Sequence, residues 1–307
     1  MALTPSKIAD SIAIGKLTPE LSESIFDRVL NTSAIARVAG KAEVSLTGTN
    51  FLIDAGKVEA SVINEGGAIG TTNLARSWVS ATPLKVGAAI TWSKEWAEKN
   101  PAGVQNLIES KLVEAINEQL DAAIIYGKSV ANNQQVANLP YLNQATNRVE
   151  LGSGAAAKGG ISADIIAGYD RVISAGNRFT GFVASPSMRT QLFGATDTTG
   201  RPIFTDAVNL ADDMGMVMGL PMAYSPAVSG QFGTGKADTK VRAIGGDFAN
   251  SLKLGFAKDI EISYSDSASI GGVSLWENDL EGVKVTATFG FAIANLGAFV
   301  VYEDKVA

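Results

Sequence analysis

The stretch Pro101–Gly127, PAGVQNLIESKLVEAINEQLDAAIIYG, limits the fold more than any other part of the chain. Val104, Ile108, Leu112, Ile116, Leu120 and Ile124 recur at every fourth position, and Leu107 and Val113 widen the stripe. Glu109, Lys111, Glu114, Glu118 and Asp121 fall off the main row. That period predicts one helix with an apolar and a wet side. Asn100 is placed to cap it, Pro101 sits where a missing N–H costs nothing, and Gly127 is a natural stop. Such a helix is roughly 40 Å long, against about three or four turns in an ordinary domain. It needs something laid along it, and the rest of the chain supplies mainly strands and loops.

The totals exclude several kinds of chemistry. The 307 residues suffice for one large domain or two, and 46% hydrophobic content argues against global disorder. Cysteine is absent, which rules out disulfides, thiol nucleophiles and zinc–cysteine sites. Histidine is absent as well, which removes serine–histidine–aspartate triads and the commonest metal ligand. The net charge is −6 and no basic run occurs, unlike a nucleic-acid-binding face. The opening MALTPSKIADSIAIG lacks the pattern of a signal peptide, and no segment reaches the roughly 18 apolar residues of a membrane span. A soluble protein made in a cytoplasm is expected. The Asn31-Thr32-Ser33 triplet matches a glycosylation sequon, a pattern common by chance.

Along the chain, TPELSESIFDRVL reads as a short amphipathic helix capped by Thr18, with Leu21, Ile25, Phe26, Val29 and Leu30 on one side. It has too little apolar surface for a core of its own and must dock, at home or on a neighbour. Residues 42–55 turn strand-like. Two alternating runs, Val58–Ile63 and Leu74–Ser80, flank the glycine-rich EGGAIGTT and read as a long hairpin, marginal in water unless it lies on a partner. Thr82–Trp96 is a further strand run leading into the long helix. GSGAAAKGG at 152–160 is flexible by composition. A compact unit then opens with the helix Ser162–Ala175, apolar through Ile165, Ile166, Tyr169, Val172 and Ile173. A strand Phe179–Ala184, the helix SPSMRTQLF and β-like segments to the end complete an α+β order.

Few motifs suggest a reaction. Gly230–Lys236, GQFGTGK, fits G-x-x-x-x-G-K, but Ala237 stands where a phosphate loop needs Ser or Thr, and the following stretch is strand-like. A hairpin turn is the plainer reading; a nucleotide-dependent enzyme is the alternative it leaves open. Asp212, Asp213 and Asp266 lack calcium-loop spacing and read as solvated acids. Met214, Met216 and Met218 read as core or loop packing. Trp92 and Trp96 read as core at the entry to the long helix, while Trp78 on the hairpin reads equally as interface anchor or fold residue. No catalytic residue, cofactor or metal site is assigned, and the protein is expected not to be an enzyme.

The order of these segments resembles the tailed-phage major capsid proteins of the Hong Kong 97 type. The resemblance lies in the hairpin VINEGGAIGTTN, the return strand PLKVGAAITWSKEW and the helix ending LDAAIIYG. It continues through ASPSMRTQL with its D-x-x-G-R-P loop, GLPMAYSP, GGDFANSLKLG and FGFAIANLGAFVVY. It covers nearly the whole chain, and the order of loose patterns carries it. It implies an N-terminal arm over residues 1–40 and an extended loop over 53–82 that lies on a neighbouring subunit. It implies a peripheral domain of 41–52, 83–138 and 256–290 with the long helix as its spine. Residues 139–255 and 291–307 would form an axial domain at the centre of pentamers and hexamers.

The implied function is to polymerise into an icosahedral shell around double-stranded DNA. The shell would be the virion capsid, assembled in the host bacterial cytoplasm, with portal, scaffolding and decoration proteins as further partners and no membrane. Long arms without a home need neighbours, and ring-forming subunits make heterologous contacts that close by symmetry. The acidic balance suits a container that must not grip its DNA. Some family members begin with a scaffolding segment that is cut away; this chain begins at the arm, so scaffolding is expected to be separate, removed or absent. Some crosslink a loop lysine to a neighbour's asparagine; Lys57 is a loop lysine here, no matched asparagine is marked, and no crosslink is expected. The intersubunit contacts are placed at Arg28 and Arg37 on the arm and at Lys57, Glu65, Arg76 and Trp78 on the loop. An encapsulin-type compartment shell, which shares this fold, is the nearer alternative function.

Overall fold

The computed structural model describes residues 32–54, 60, 62–63, 76–99, 101–153, 160–195, 201, 204, 214–232 and 238–305; for 53, 54, 76, 77, 97, 101–107, 109 and 259 it describes the backbone. The expected helix from Thr18, the hairpin tip and the segment 154–159 lie outside these residues.

Helix α1 (Ala34–Val38) starts at Ser33, whose Oγ accepts the Ala36 N–H at 3.2 Å. Short strand β1 (Gly40–Lys41) and β2 (Thr49–Asp54) follow. Strand β3 (Arg76–Ser93) runs unbroken for 18 residues. It joins the runs Leu74–Ser80 and Thr82–Trp96 that the sequence reads as separate, and its pairing explains how the strand tolerates Pro83. Residues 76–81 pair with β2, and residues 82–93 pair with a later strand. Pro83 sits at the handover, where a missing donor does least harm to either ladder. Among the described residues the hairpin partner of β3 is β2, with Leu52 opposite Trp78; half of the run 58–63 lies outside them. The strand also ends sooner than expected: Lys94–Lys99 is helix α2, and it carries Trp96.

Helix α3 (Pro101–Tyr126) is the expected long helix, and Gly127 ends it with φ +66°. A side chain there would run into Gln135 Nε2 and meet Tyr141 Cδ1 at 2.8 Å, so the left-handed turn favours glycine. Beyond it come β4 (Asn147–Leu151), α4 (Gly160–Ser174), β5 (Gly181–Ala184) and α5 (Pro186–Phe193). Strands β6 (Met214–Val217) and β7 (Leu220–Tyr224) form a tight hairpin, turned by Met218 and Gly219 at φ +53° and +78°. Then follow β8 (Val241–Gly246), the one-turn α6 (Phe248–Ser251) and β9 (Leu252–Ser265). The small hairpin β10 (Ser269–Ile270) and β11 (Val273–Ser274), β12 (Leu280–Ile293) and β13 (Phe299–Asp304) complete the chain.

Two sheets result. The first has the order β1-β9-β12-β3-β2 and the second β4-β13-β8-β5-β7-β6. In the first, Val283, Val285 and Ala287 of β12 pack with Ile260 against Ile108, Leu112, Val113 and Ile116 of α3. The alternate residue Lys284 is exposed, as on a sheet with one covered face. In the second, β5 and β8 are buried at every position. One face meets α4 and α5, through Ile165, Val172, Met188 and Leu192. The other meets α1 and the end of α3, through Ile35, Leu120 and Ile124. Phe289, Phe291 and Ile293 at the end of β12 enter that same core, so the two sheets share it.

Candidate intersubunit surface

On the β2–β3 hairpin, one face packs at its root, where Phe51 and Val79 lie against Val44, Ala81 and Ala292. The other face carries Leu52 and Trp78 directly opposite each other, 53% and 62% exposed. Cross-strand neighbours stand close enough to act as one apolar surface, and nothing among the described residues covers this solvent-exposed Trp–Leu pair. Val62 and Ile63, between β2 and β3 in the sequence, are exposed as well. Leu52 is absent from the residues singled out by sequence; the register of β2 on β3 is the signal that would have found it. Arg76 stands opposite Asp54 at the outer end of the ladder. Arg37 occupies the last turn of α1 and is half-buried. Arg28, Lys57 and Glu65 lie outside the described residues.

A second apolar surface lies on the six-stranded sheet. The helix α4 buries Ile165, Gly168 and Val172, while Ile166, Tyr169 and Ile173 are 52%, 42% and 40% exposed. The expected apolar face is thus split. Gly168 is the cause: the Tyr302 ring and hydroxyl lie where its side chain would be, so the buried row follows Gly168. Tyr302 donates to the Ile165 carbonyl at 3.1 Å. Met214, Met216 and Met218 are exposed on the edge hairpin, contrary to the packing expected of them. Ile166, Tyr169, Met218 and Leu220 line a groove of about 370 Å³ between α4 and that hairpin.

Trp92 is half-buried and donates its indole N–H to Glu281 at 3.1 Å, as core packing predicts. Trp96 does not follow: it is 44% exposed on α2.

The root of the arm is fixed by a buried carboxylate. Asp121 belongs by period to the wet side of α3, yet it is only 3% exposed. Ser33 Oγ donates to its Oδ1 at 2.8 Å and Ser225 Oγ to its Oδ2 at 2.7 Å. Three elements thus meet on one side chain: the start of α1, the long helix, and the turn after β7. Burial raises the Asp121 pKa, while the two hydroxyls and the backbone N–H groups of α1 partly oppose that shift. Nearby, the Tyr126 hydroxyl donates to the Val228 carbonyl at 2.6 Å, and burial pushes its pKa up to about 12.

The described part of the GQFGTGK stretch, 230–232, is a turn and a buried ring. Gly230 closes a single 3-10 turn, Pro226–Ser229, with φ +76°. Phe232 is buried against Tyr126, ring centroids 5.9 Å apart. The described chain resumes at Asp238 and enters strand β8, where a nucleotide loop would open a helix. Lys236 lies outside the described residues. Among the described residues no cluster of acidic side chains could hold a metal ion, and no helix is long and apolar enough to cross a membrane.

The chain has clear relatives. The probable major capsid protein gp17 of Mycobacterium phage L5 is 26% identical over 316 residues, covering 96% of this chain and 91% of its own. A solved structure from Gordonia phage Cozz superimposes with a TM-score of 0.77 at 26% identity, over 90% of this chain and 87% of that one. One from Mycobacterium phage Ogopogo has a TM-score of 0.75 at 21% identity, over 89% and 92%, and shares the fold. The profile described as the Phage capsid family matches residues 16–304. With that match spanning both sheets, the long helix and the hairpin, the chain belongs to the phage capsid family.

Proposed function

We propose that this chain is the major capsid protein of a tailed phage. It assembles with itself as hexamers and pentamers into an icosahedral shell that encloses double-stranded DNA without reading its sequence. The observation that carries the proposal is the Leu52–Trp78 pair, an exposed apolar surface on a hairpin that extends past its own sheet. Such a surface is stable in water when another copy covers it. Family membership supplies the rest, and the phage relatives favour a virion over an encapsulin-type compartment. No catalytic role is proposed.

On this reading residues 1–40 are the arm and 53–82 the loop laid on a neighbour. Residues 41–52, 83–138 and 256–290 form the peripheral domain, and 139–255 with 291–307 the axial domain. Arg28, Arg37, Lys57, Glu65, Arg76 and Trp78 contact adjacent subunits. Assembly takes place in the bacterial host's cytoplasm, with portal, scaffolding and decoration proteins as partners. Negative-stain electron microscopy and light scattering of the expressed chain provide the test. Closed shells or hexamer sheets are expected, and Trp78→Ala should abolish them while leaving a folded subunit. Shells that form equally well with alanine at 78 would remove the pair from the contact.

A further inference from the structure

A groove of about 390 Å³ runs along α3 beside the root of the arm. Thr32, Ala34, Asn117, Asp121, Ser225 and Gln231 are among the residues that line it. Asn117 is only 7% exposed, and neither its Nδ2 nor its Oδ1 has a hydrogen-bond partner. Leaving both ends of a buried amide unpaired is costly, so the site is built for an occupant able to accept and donate. A side-chain amide carries the same donor and acceptor as a peptide unit. Glu114, paired with Lys111 at 2.7 Å, and Glu118 stand on the same rim.

The occupant is indicated by where the chain leads. Thr32 has helical backbone and forms part of the groove wall. Immediately before it in the sequence lies TPELSESIFDRVL, the amphipathic segment that must dock somewhere. The last carbonyls of a helix lack partners within it, and the Asn117 Nδ2 is a donor lacking an acceptor. We infer that residues 18–30 dock in this groove of their own chain, with their final turn on Asn117. The arm is then seated on the long helix before any neighbour is met, and its outer face is what a neighbour receives.

The chain has no cysteine, so introduced thiols report cleanly. Glu118→Cys is combined in turn with Asp27→Cys, Arg28→Cys or Val29→Cys in the full chain and oxidised. At least one pair should close within a single chain, visible as a faster monomer band in denaturing gels and as a linked peptide by mass spectrometry. A disulfide found only between chains would transfer the occupant to a second copy. Failure of all three pairs with reactive thiols would overturn the docking outright. Asn117→Leu gives an independent readout: tryptic cleavage after Arg28 should become roughly three- to tenfold faster. An unchanged rate sinks the role of the amide. Shell formation is read separately by microscopy, so shells without an intrachain link, or a link without shells, tell this inference apart from the function proposed above.

Discussion

The two ends of α3 obey different rules. From Ile108 to Ile116 the helix lies on one face of the five-stranded sheet, and Lys111 and Glu114 on the other side are solvated. From Leu120 to Gly127 every residue is buried, because α1, the six-stranded sheet and the end of β12 surround it. One end is an amphipathic surface helix and the other a core helix that happens to continue it. The difference teaches where the subunit is rigid: the surrounded end fixes both sheets and the arm root to one another, whereas the open end supports a sheet with a solvated outer face.

Substitutions can break or sharpen this contrast. Ile124→Ala should cost about 4 kcal/mol in denaturant unfolding of the unassembled chain, and Ile108→Ala about 2 kcal/mol, since the first leaves a cavity enclosed on all sides. Equal losses would erase the distinction. Gly127→Ala should cost about 2 kcal/mol, from a left-handed backbone and from the approach of Gln135 and Tyr141. A loss below about 0.5 kcal/mol would mean the helix end adapts.

Asp121→Ala should cost about 2 kcal/mol by stranding the Ser33 and Ser225 hydroxyls. Asp121→Asn keeps a donor and an acceptor for them and should cost about 1 kcal/mol or less at pH 7. The folded carboxyl has a raised pKa, so the folded state favours its protonated form. Wild type should therefore gain stability over Asp121→Asn as pH falls below neutrality. The gain is complete below the ordinary carboxylate pKa of about 3.9 and is lost as pH rises through the folded value. A pH-independent difference between the two would place Asp121 in water. Lys111→Ala, on the open side of the open end, should change stability by about 0.5 kcal/mol or less, since its partner Glu114 is equally solvated.

What the sequence made legible follows the same division. The long helix and its glycine stop were readable because period and punctuation are local. The alternating strands β9 and β12 were readable for the same reason. Asp121 was misplaced because its partners come from Ser33 and Ser225, separated by 88 and 104 positions. The face of α4 was misjudged because a glycine in the buried row and a tyrosine from the last strand decide which residues turn inward. At the candidate surface, Trp78 could be named from residue type, but its companion Leu52 needed a register that no local pattern contains. The sequence reads Leu74–Ser80 and Thr82–Trp96 as separate runs, and only the exchange of pairing partners near Pro83 shows why they form one strand.

That continuity has a mechanical consequence. At about 3.3 Å per residue, β3 is a beam nearly 60 Å long. Its inner two-thirds are clamped beside β12 and its outer third is braced by β2 alone. A cantilever without a hinge delivers any load at its free end to its clamp as bending and torsion. With a neighbour seated on Trp78 as proposed above, a force it applies is felt as a change of twist in the five-stranded sheet, and through that sheet by the open half of α3.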